Sequence, residues 1–147
     1  MNGNRSEKNR RAGFTLIEVL AVVVILGILA GVVINRAWNA VVQARMETAK
    51  AQIAQIEEAI QMFHMDIARY PAALNDLITK PADASGYRDG GYLKVLPKDP
   101  WKNDYFYKTP GPGGKPYVVG SLGSDKKEGG EGDAKDITCW TIHETTE

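Results

Sequence analysis

The residues best suited to chemistry lie in one stretch near the C-terminus, 121–137. It holds three Asp (Asp125, Asp133, Asp136), two Glu (Glu128, Glu131) and four Gly within seventeen residues. Carboxylates on a glycine-rich loop can wrap a hard cation, because calcium accepts about 6–8 oxygens in flexible geometry, backbone carbonyls included. Counted inclusively, Asp125 and Asp136 even span the twelve positions of an EF-hand loop. That reading fails: the third and fifth positions are Lys127 and Gly129, and no helical pattern flanks the stretch. From residue chemistry alone, a solvated acidic loop and a metal site fit equally well. Other reactive side chains are scattered. His64 sits between Phe63 and Met65, and His143 is near Glu144 and Glu147 without an H-E-x-x-H pattern, so both read as ordinary surface histidines. Cys139 is the single cysteine, which forbids an internal disulfide. With Ile137, Trp140 and Ile142 around it, it reads as a buried, inert thiol. There is no nucleophile–base pair, phosphate loop or closed zinc-type ligand set, so nothing points to an enzyme.

The second chemically notable residue is Glu18, because of where it stands. Residues 14–34 form a run of twenty-one in which only Thr15 and Glu18 are polar. At about 1.5 Å per residue the run spans roughly 30 Å as a helix, the hydrocarbon thickness of a bilayer. A cleaved secretory signal would have a shorter apolar region, about 7–15 residues, and a small-residue cleavage site. Here the run ends in Val33-Ile34-Asn35-Arg36. A carboxylate inside such a helix costs about 2.5–3.5 kcal/mol near the bilayer centre and less near an end. Glu18 therefore calls for a partner, which need not belong to the same chain, or for a route to the interface by snorkelling or protonation. Gly27 and Gly31 share one helix face, where small residues let a second helix approach closely; Gly is also simply common in membrane helices.

The charge pattern orients this segment. The chain is formally neutral, which gives no case for nucleic-acid binding. Yet residues 1–13 carry Arg5, Lys8, Arg10 and Arg11 against Glu7, and a basic flank of this kind stays on the cytoplasmic side. Beyond the membrane segment, Met46, Ala49, Ile53, Ile56, Ile60, Phe63 and Ile67 recur at spacings of three and four, one apolar helix stripe that Pro71 should stop. The stripe lasts only about three heptads, so it is expected to pack on the remainder of the chain rather than form a free coiled coil. After Pro71 come a short helix or turn over 73–80, a loop over 82–91 and an extended or irregular piece over 92–96. Strands are expected over 105–108, 115–120 and 137–142, the first two joined by Pro110-Gly111-Pro112-Gly113-Gly114. The predicted class is α+β: one long N-terminal helix packed on a small antiparallel sheet, with a Gly-rich acidic C-terminal loop. The corresponding organisation is 1–13 leader, 14–35 membrane helix, 36–70 head part of the long helix, and 71–147 globular head.

Three stretches carry a family resemblance that covers nearly the whole chain. Arg10-Arg11-Ala12-Gly13-Phe14-Thr15-Leu16-Ile17-Glu18-Val19 resembles the leader junction of type IV prepilins. Leu96-Pro97-Lys98-Asp99-Pro100-Trp101-Lys102-Asn103-Asp104-Tyr105 is similar to the DPWGNPY segment of type II secretion major pseudopilins, departing from it at Lys102, where Gly is usual, and at Asp104, where Pro is usual. The acidic loop resembles their SxGxDGxEGGxGxDADI segment, with Lys126 in place of the usual Gly. The family's helix-breaking Pro is absent near Asn35.

The resemblance implies a type IV pilin-like fold and a membrane aspartyl prepilin peptidase that cuts between Gly13 and Phe14 and N-methylates Phe14. Glu18 would then guide the subunit into a homo-oligomeric helical filament by meeting the Phe14 amine of a neighbouring copy. For the loop, it implies a structural calcium ion held by the Leu122 carbonyl, Asp125, Asp133 or Asp136, and the Lys127 carbonyl. Implied partners are minor pseudopilins, the inner-membrane secretion platform and membrane lipid. The implied location is the bacterial inner membrane, single-pass, with the head in the periplasm. The implied role is the core subunit of a pseudopilus that helps export folded proteins across the outer membrane. Two relatives are alternatives. A type IV pilin often carries a C-terminal disulfide loop, which lone Cys139 forbids, and a minor pseudopilin often has a larger head.

Overall fold

The computed structural model describes residues 13–144, with the side chains of 32–35 and 144 outside the description; the basic leader residues Arg5 to Arg11 therefore lie outside the described residues. The first helix, α1, runs from Leu16 to Ile67, and the chain divides into two units at Asn39 and Ala40. In the first unit the apolar run is helical from Leu16, and the side chains over 16–31 are exposed, among them Leu16, Ile17, Leu20, Ile25 and Leu29. This is the one described helix long and apolar enough to cross a membrane. A helix that is hydrophobic all round needs an apolar environment on every side.

In the second unit the expected stripe is the core. Ala49, Ile53, Ile56, Ile60 and Phe63 are completely buried, and Met46 and Ile67 pack at its ends. Each large side chain buried in this way contributes about 1.5–3 kcal/mol. The helix stops before Pro71 can act. Ala68 takes a left-handed backbone, φ 60°, and its N–H closes on the His64 carbonyl at 2.8 Å, the geometry of a helix C-terminal cap. Tyr70 then folds back to stack on the His64 ring at 4.2 Å.

A short 3-10 turn, Leu74–Leu77, buries Leu74 and Leu77. The piece over 92–96 stays irregular and is pinned by the Leu77 carbonyl, which accepts from the N–H groups of Tyr92 and Leu93. The sheet has three antiparallel strands in chain order: β1 Phe106–Lys108, β2 Val118–Ser121 and β3 Ile137–Thr138. The register pairs Phe106 with Gly120, Lys108 with Val118, and Ser121 with Ile137. Gly120 is required there: a Cβ would stand 2.9 Å from the Phe106 ring that lies over it.

One expected strand is corrected. Only Ile137–Thr138 is extended, and Cys139–Glu144 forms a second helix, α2. The alternation of β-branched residues suggests a strand, but local side-chain bonds win. Thr138 Oγ1 accepts from the Thr141 N–H at 3.2 Å, while Thr141 Oγ1 accepts from the Thr138 N–H at 3.0 Å, a reciprocal N-terminal cap. The Trp140 indole N–H donates to the Tyr117 carbonyl at 2.7 Å, which fixes the turn over β2. Cys139 is completely buried, and burial raises its thiol pKa, in keeping with an inert thiol.

Candidate functional site

The N-terminal site is built at the start of α1. Thr15 is the cap residue and Glu18 the third helical residue. The Thr15 N–H and Oγ1–H donate to Glu18 Oε2 at 2.8 and 3.0 Å, and the Glu18 N–H donates to Thr15 Oγ1 at 3.3 Å. This is a capping box, which satisfies otherwise orphaned helix N–H groups and holds a carboxylate at the positive end of the helix dipole. The carboxylate thus has a partner within its own chain through Oε2, while its Oε1 accepts no hydrogen bond among the described residues. Phe14, next to it, is 86% exposed. Gly27 and Gly31 have nothing within 4 Å of where a Cβ would stand, so this face is open to another helix.

In the head, the acidic loop leaves β2 at Ser121 and returns at Ile137. Its base is locked by a buried carboxylate that sequence reasoning quoted only as part of a motif. Asp99 is 3% exposed and accepts three bonds: from the N–H groups of Trp101 and Asn103 at 3.0 and 2.7 Å, and from Ser121 Oγ–H at 2.6 Å. Ser121 Oγ accepts in turn from the Gly123 N–H at 3.1 Å, and the Asn103 amide donates to the Gly123 carbonyl at 3.0 Å. Gly123 is left-handed, φ 66°, and a Cβ there would stand 2.8 Å from the Ala134 backbone, so the two limbs of the loop can touch only at a glycine.

Among the described residues the implied Asp ligands, Asp125 with Asp133 or Asp136, do not form a three-carboxylate cluster. Asp133 faces donors: its Oδ1 accepts from the Trp101 indole N–H at 2.8 Å, and its Oδ2 pairs with the Arg45 guanidinium at 3.3 Å. This clasp ties the loop to α1, and Arg45 is a partner that spacing could not reveal, being 88 residues away. Trp101 accordingly packs as an anchor at the edge of the core. Asp125 Oδ1 accepts from the Lys127 N–H at 3.1 Å within its own turn. Asp136 Oδ2 accepts from the Gly129 N–H at 2.8 Å, but its Oδ1 is buried without a hydrogen-bond partner. Leu122 and Asp136 line the same open cavity, beside Phe106, Lys108, Glu128 and Thr138. An orphaned buried carboxylate oxygen is an acceptor that a cation would satisfy, so the residues fit the ion in part. Among the described residues no three acidic, His or Cys side chains gather at metal-holding distance, so backbone carbonyls would have to complete any set.

The histidines take structural places. His143 Nε2 lies 2.9 Å from Glu57 Oε2, while Glu57 Oε1 also accepts from Tyr117 Oη–H at 3.1 Å.

A long helix that opens on an apolar run, together with a small three-stranded antiparallel head, defines a pilin-like class of subunit, and the run is consistent with membrane anchoring. The comparisons narrow that class. A family described as type II secretion system protein G matches residues 36–140, and the prokaryotic N-terminal methylation motif matches residues 8–34. The type II secretion system core protein G of Vibrio cholerae is 44% identical over 140 residues, covering 92% of this chain and 95% of that protein. The protein of the same description from Pseudomonas aeruginosa is 41% identical over 140 residues, covering 91% and 98%. The crystal structure of the major pseudopilin from the type 2 secretion system of enterohaemorrhagic Escherichia coli superposes with a TM-score of 0.58 at 30% identity, covering 67% of this chain and 89% of that one. The chain belongs to the type II secretion system protein G family, the major pseudopilins, a family of structural subunits.

Proposed function

We propose that this chain is made as a precursor, cut between Gly13 and Phe14 by a prepilin peptidase and N-methylated on Phe14. It then polymerises from the inner membrane into a helical pseudopilus whose growth drives folded proteins across the outer membrane. The head stands in the periplasm, and minor pseudopilins and the inner-membrane platform are its partners. The observation that carries this reading is the capping box at the entry of an apolar helix. It keeps the Glu18 carboxylate at the helix end, one turn from the residue that cleavage converts to a free amine. A fixed anion near a neighbour's new cation selects the register in which a subunit enters the filament.

Calcium is proposed to order the acidic loop through the Leu122 carbonyl, Asp125, Asp136 and the Lys127 carbonyl. Asp133 is assigned instead to the Arg45–Trp101 clasp, since both its oxygens already face donors. When bound, the ion supplies positive charge that cancels carboxylate repulsion and fixes the loop against β2.

The test of assembly is Glu18→Ala in cells that hold the secretion machinery. Membrane insertion should persist and filaments should disappear; filaments at normal yield would show that Glu18 does not direct assembly. Intact mass of the purified chain reads processing directly, and an unprocessed Met1 terminus in the presence of the peptidase would remove the precursor reading. For the ion, calcium should raise the melting temperature of the full chain in micelles, and Asp136→Asn should abolish the rise while Asp133→Asn should not. No rise at millimolar calcium would remove the ion from the account.

A further inference from the structure

The chain has three tryptophans, and two are accounted for by packing. Trp101 and Trp140 lie against the core with their indole N–H groups bonded to Asp133 and the Tyr117 carbonyl. Trp38 is different. It is 59% exposed on α1, and among the described residues its indole N–H has no protein partner. Its ring is apolar and its N–H is a hydrogen-bond donor, and the residues around it say what covers it. Trp38 stands four positions past the end of the apolar run at Ile34, beyond polar Asn35, and exposed Arg36 stands two positions before it.

Spacing supplies the second observation. Glu18 and Trp38 are twenty positions apart in one unbroken helical stretch, a rise of about 30 Å, which equals the hydrocarbon thickness of a bilayer. Trp prefers the headgroup level, where the ring meets apolar chains and the N–H meets water or ester oxygens, and a nearby cation can reach lipid phosphate. We infer that Trp38, with Arg36, is a lipid-interface anchor that holds the helix at a depth where Glu18 lies at the opposite boundary of the hydrocarbon. The ligand is the glycerol and phosphate layer of a phospholipid surface. This deepens the membrane reading above and rests on it. The anchor explains how a carboxylate is tolerated in the apolar run: the helix is pinned where Glu18 needs to cross almost no hydrocarbon.

The test uses the full chain in phosphatidylcholine vesicles. Flotation first reports whether the chain is membrane-bound. Tryptophan emission is then compared in vesicles brominated at a shallow or a deep acyl position, for the wild type and for Trp38→Phe. The expected result is stronger quenching by the shallow bromines, confined to a component that Trp38→Phe removes. A Trp38→Phe chain with the same helical circular dichroism keeps the difference spectrum interpretable. Stronger quenching by deep bromines would place Trp38 in the hydrocarbon and overturn the inference. So would an unquenched Trp38 in a chain that floats, and so would protection from acrylamide that depends on protein concentration rather than lipid, which would mark a second copy as the cover. A chain that fails to float overturns the membrane reading itself, so the two failures are distinguishable.

Discussion

Lys102 occupies a backbone conformation that its side chain makes expensive. The residue is left-handed, φ 68°, and its N–H donates to the Asp99 carbonyl at 2.8 Å to close the turn that presents Trp101. The left-handed region costs an L-residue about 1–2 kcal/mol, while glycine enters it freely but loses about 0.5–1 kcal/mol more chain entropy on folding. The difference predicts that Lys102→Gly stabilises the head by about 0.5–1 kcal/mol. For a unit of this size, Ala40–Glu147, that corresponds to a rise in melting temperature of about 2–6 °C. The side chain is exposed and makes no ion pair among the described residues, so little is lost with it. Thermal unfolding of the full chain in micelles, followed by near-ultraviolet circular dichroism with chelator present, measures the shift. Lys102→Ala is the control, because it removes the same charge and stem but keeps a Cβ in the left-handed region. It should gain nothing. If Ala raises the melting temperature as much as Gly, charge repulsion with neighbouring Lys98 and Lys126 is the cause and the backbone argument is refuted. Lys126, φ 60°, should respond to Gly in the same direction.

Three further outcomes follow from the head. Asp99→Ala strands the N–H groups of Trp101 and Asn103 and the hydroxyl of buried Ser121; it should destabilise the head by about 2–4 kcal/mol, read as a lower midpoint in urea, with Asp99→Asn falling between it and wild type. Alkali should unfold the head. Burial raises the phenol pKa of Tyr105 and Tyr117 and pushes that of Tyr107 up to about 12, from an ordinary 10.0. The folded state therefore holds these protons more tightly than the unfolded chain, so their stabilisation is intact below pH 10 and is lost as pH rises toward 12. Phenolate absorbance should show the buried tyrosines ionising together with loss of circular dichroism; all six titrating near 10 with the fold intact would contradict this. The Cys139 thiol should react with a thiol reagent only after unfolding, and fast labelling of the native chain would show that α2 opens readily.

Sequence alone determined the parts of this protein that repeat or that carry a local signature. A stripe at spacings of three and four can bury only one helix face, and Ala49 through Phe63 do so. A leader junction and a twenty-one-residue apolar run are local, so they could be read without a fold. Three strands were visible because turn residues bracket them, although α2 was not, since its deciding bonds, Thr138 with Thr141 and Trp140 with Tyr117, compete with a β-branched pattern that points the other way. What only the tertiary structure decided are pairings between distant residues. The split between Asp133 and Asp136 depends on Arg45 and Trp101 reaching one carboxylate and leaving an oxygen of the other without a donor. The burial of Asp99 under Ser121 and the left-handed turns at Lys102 and Lys126 belong to the same class. Chain composition limits which contacts are possible, but which donor meets which acceptor is set by where the helix and sheet bring them.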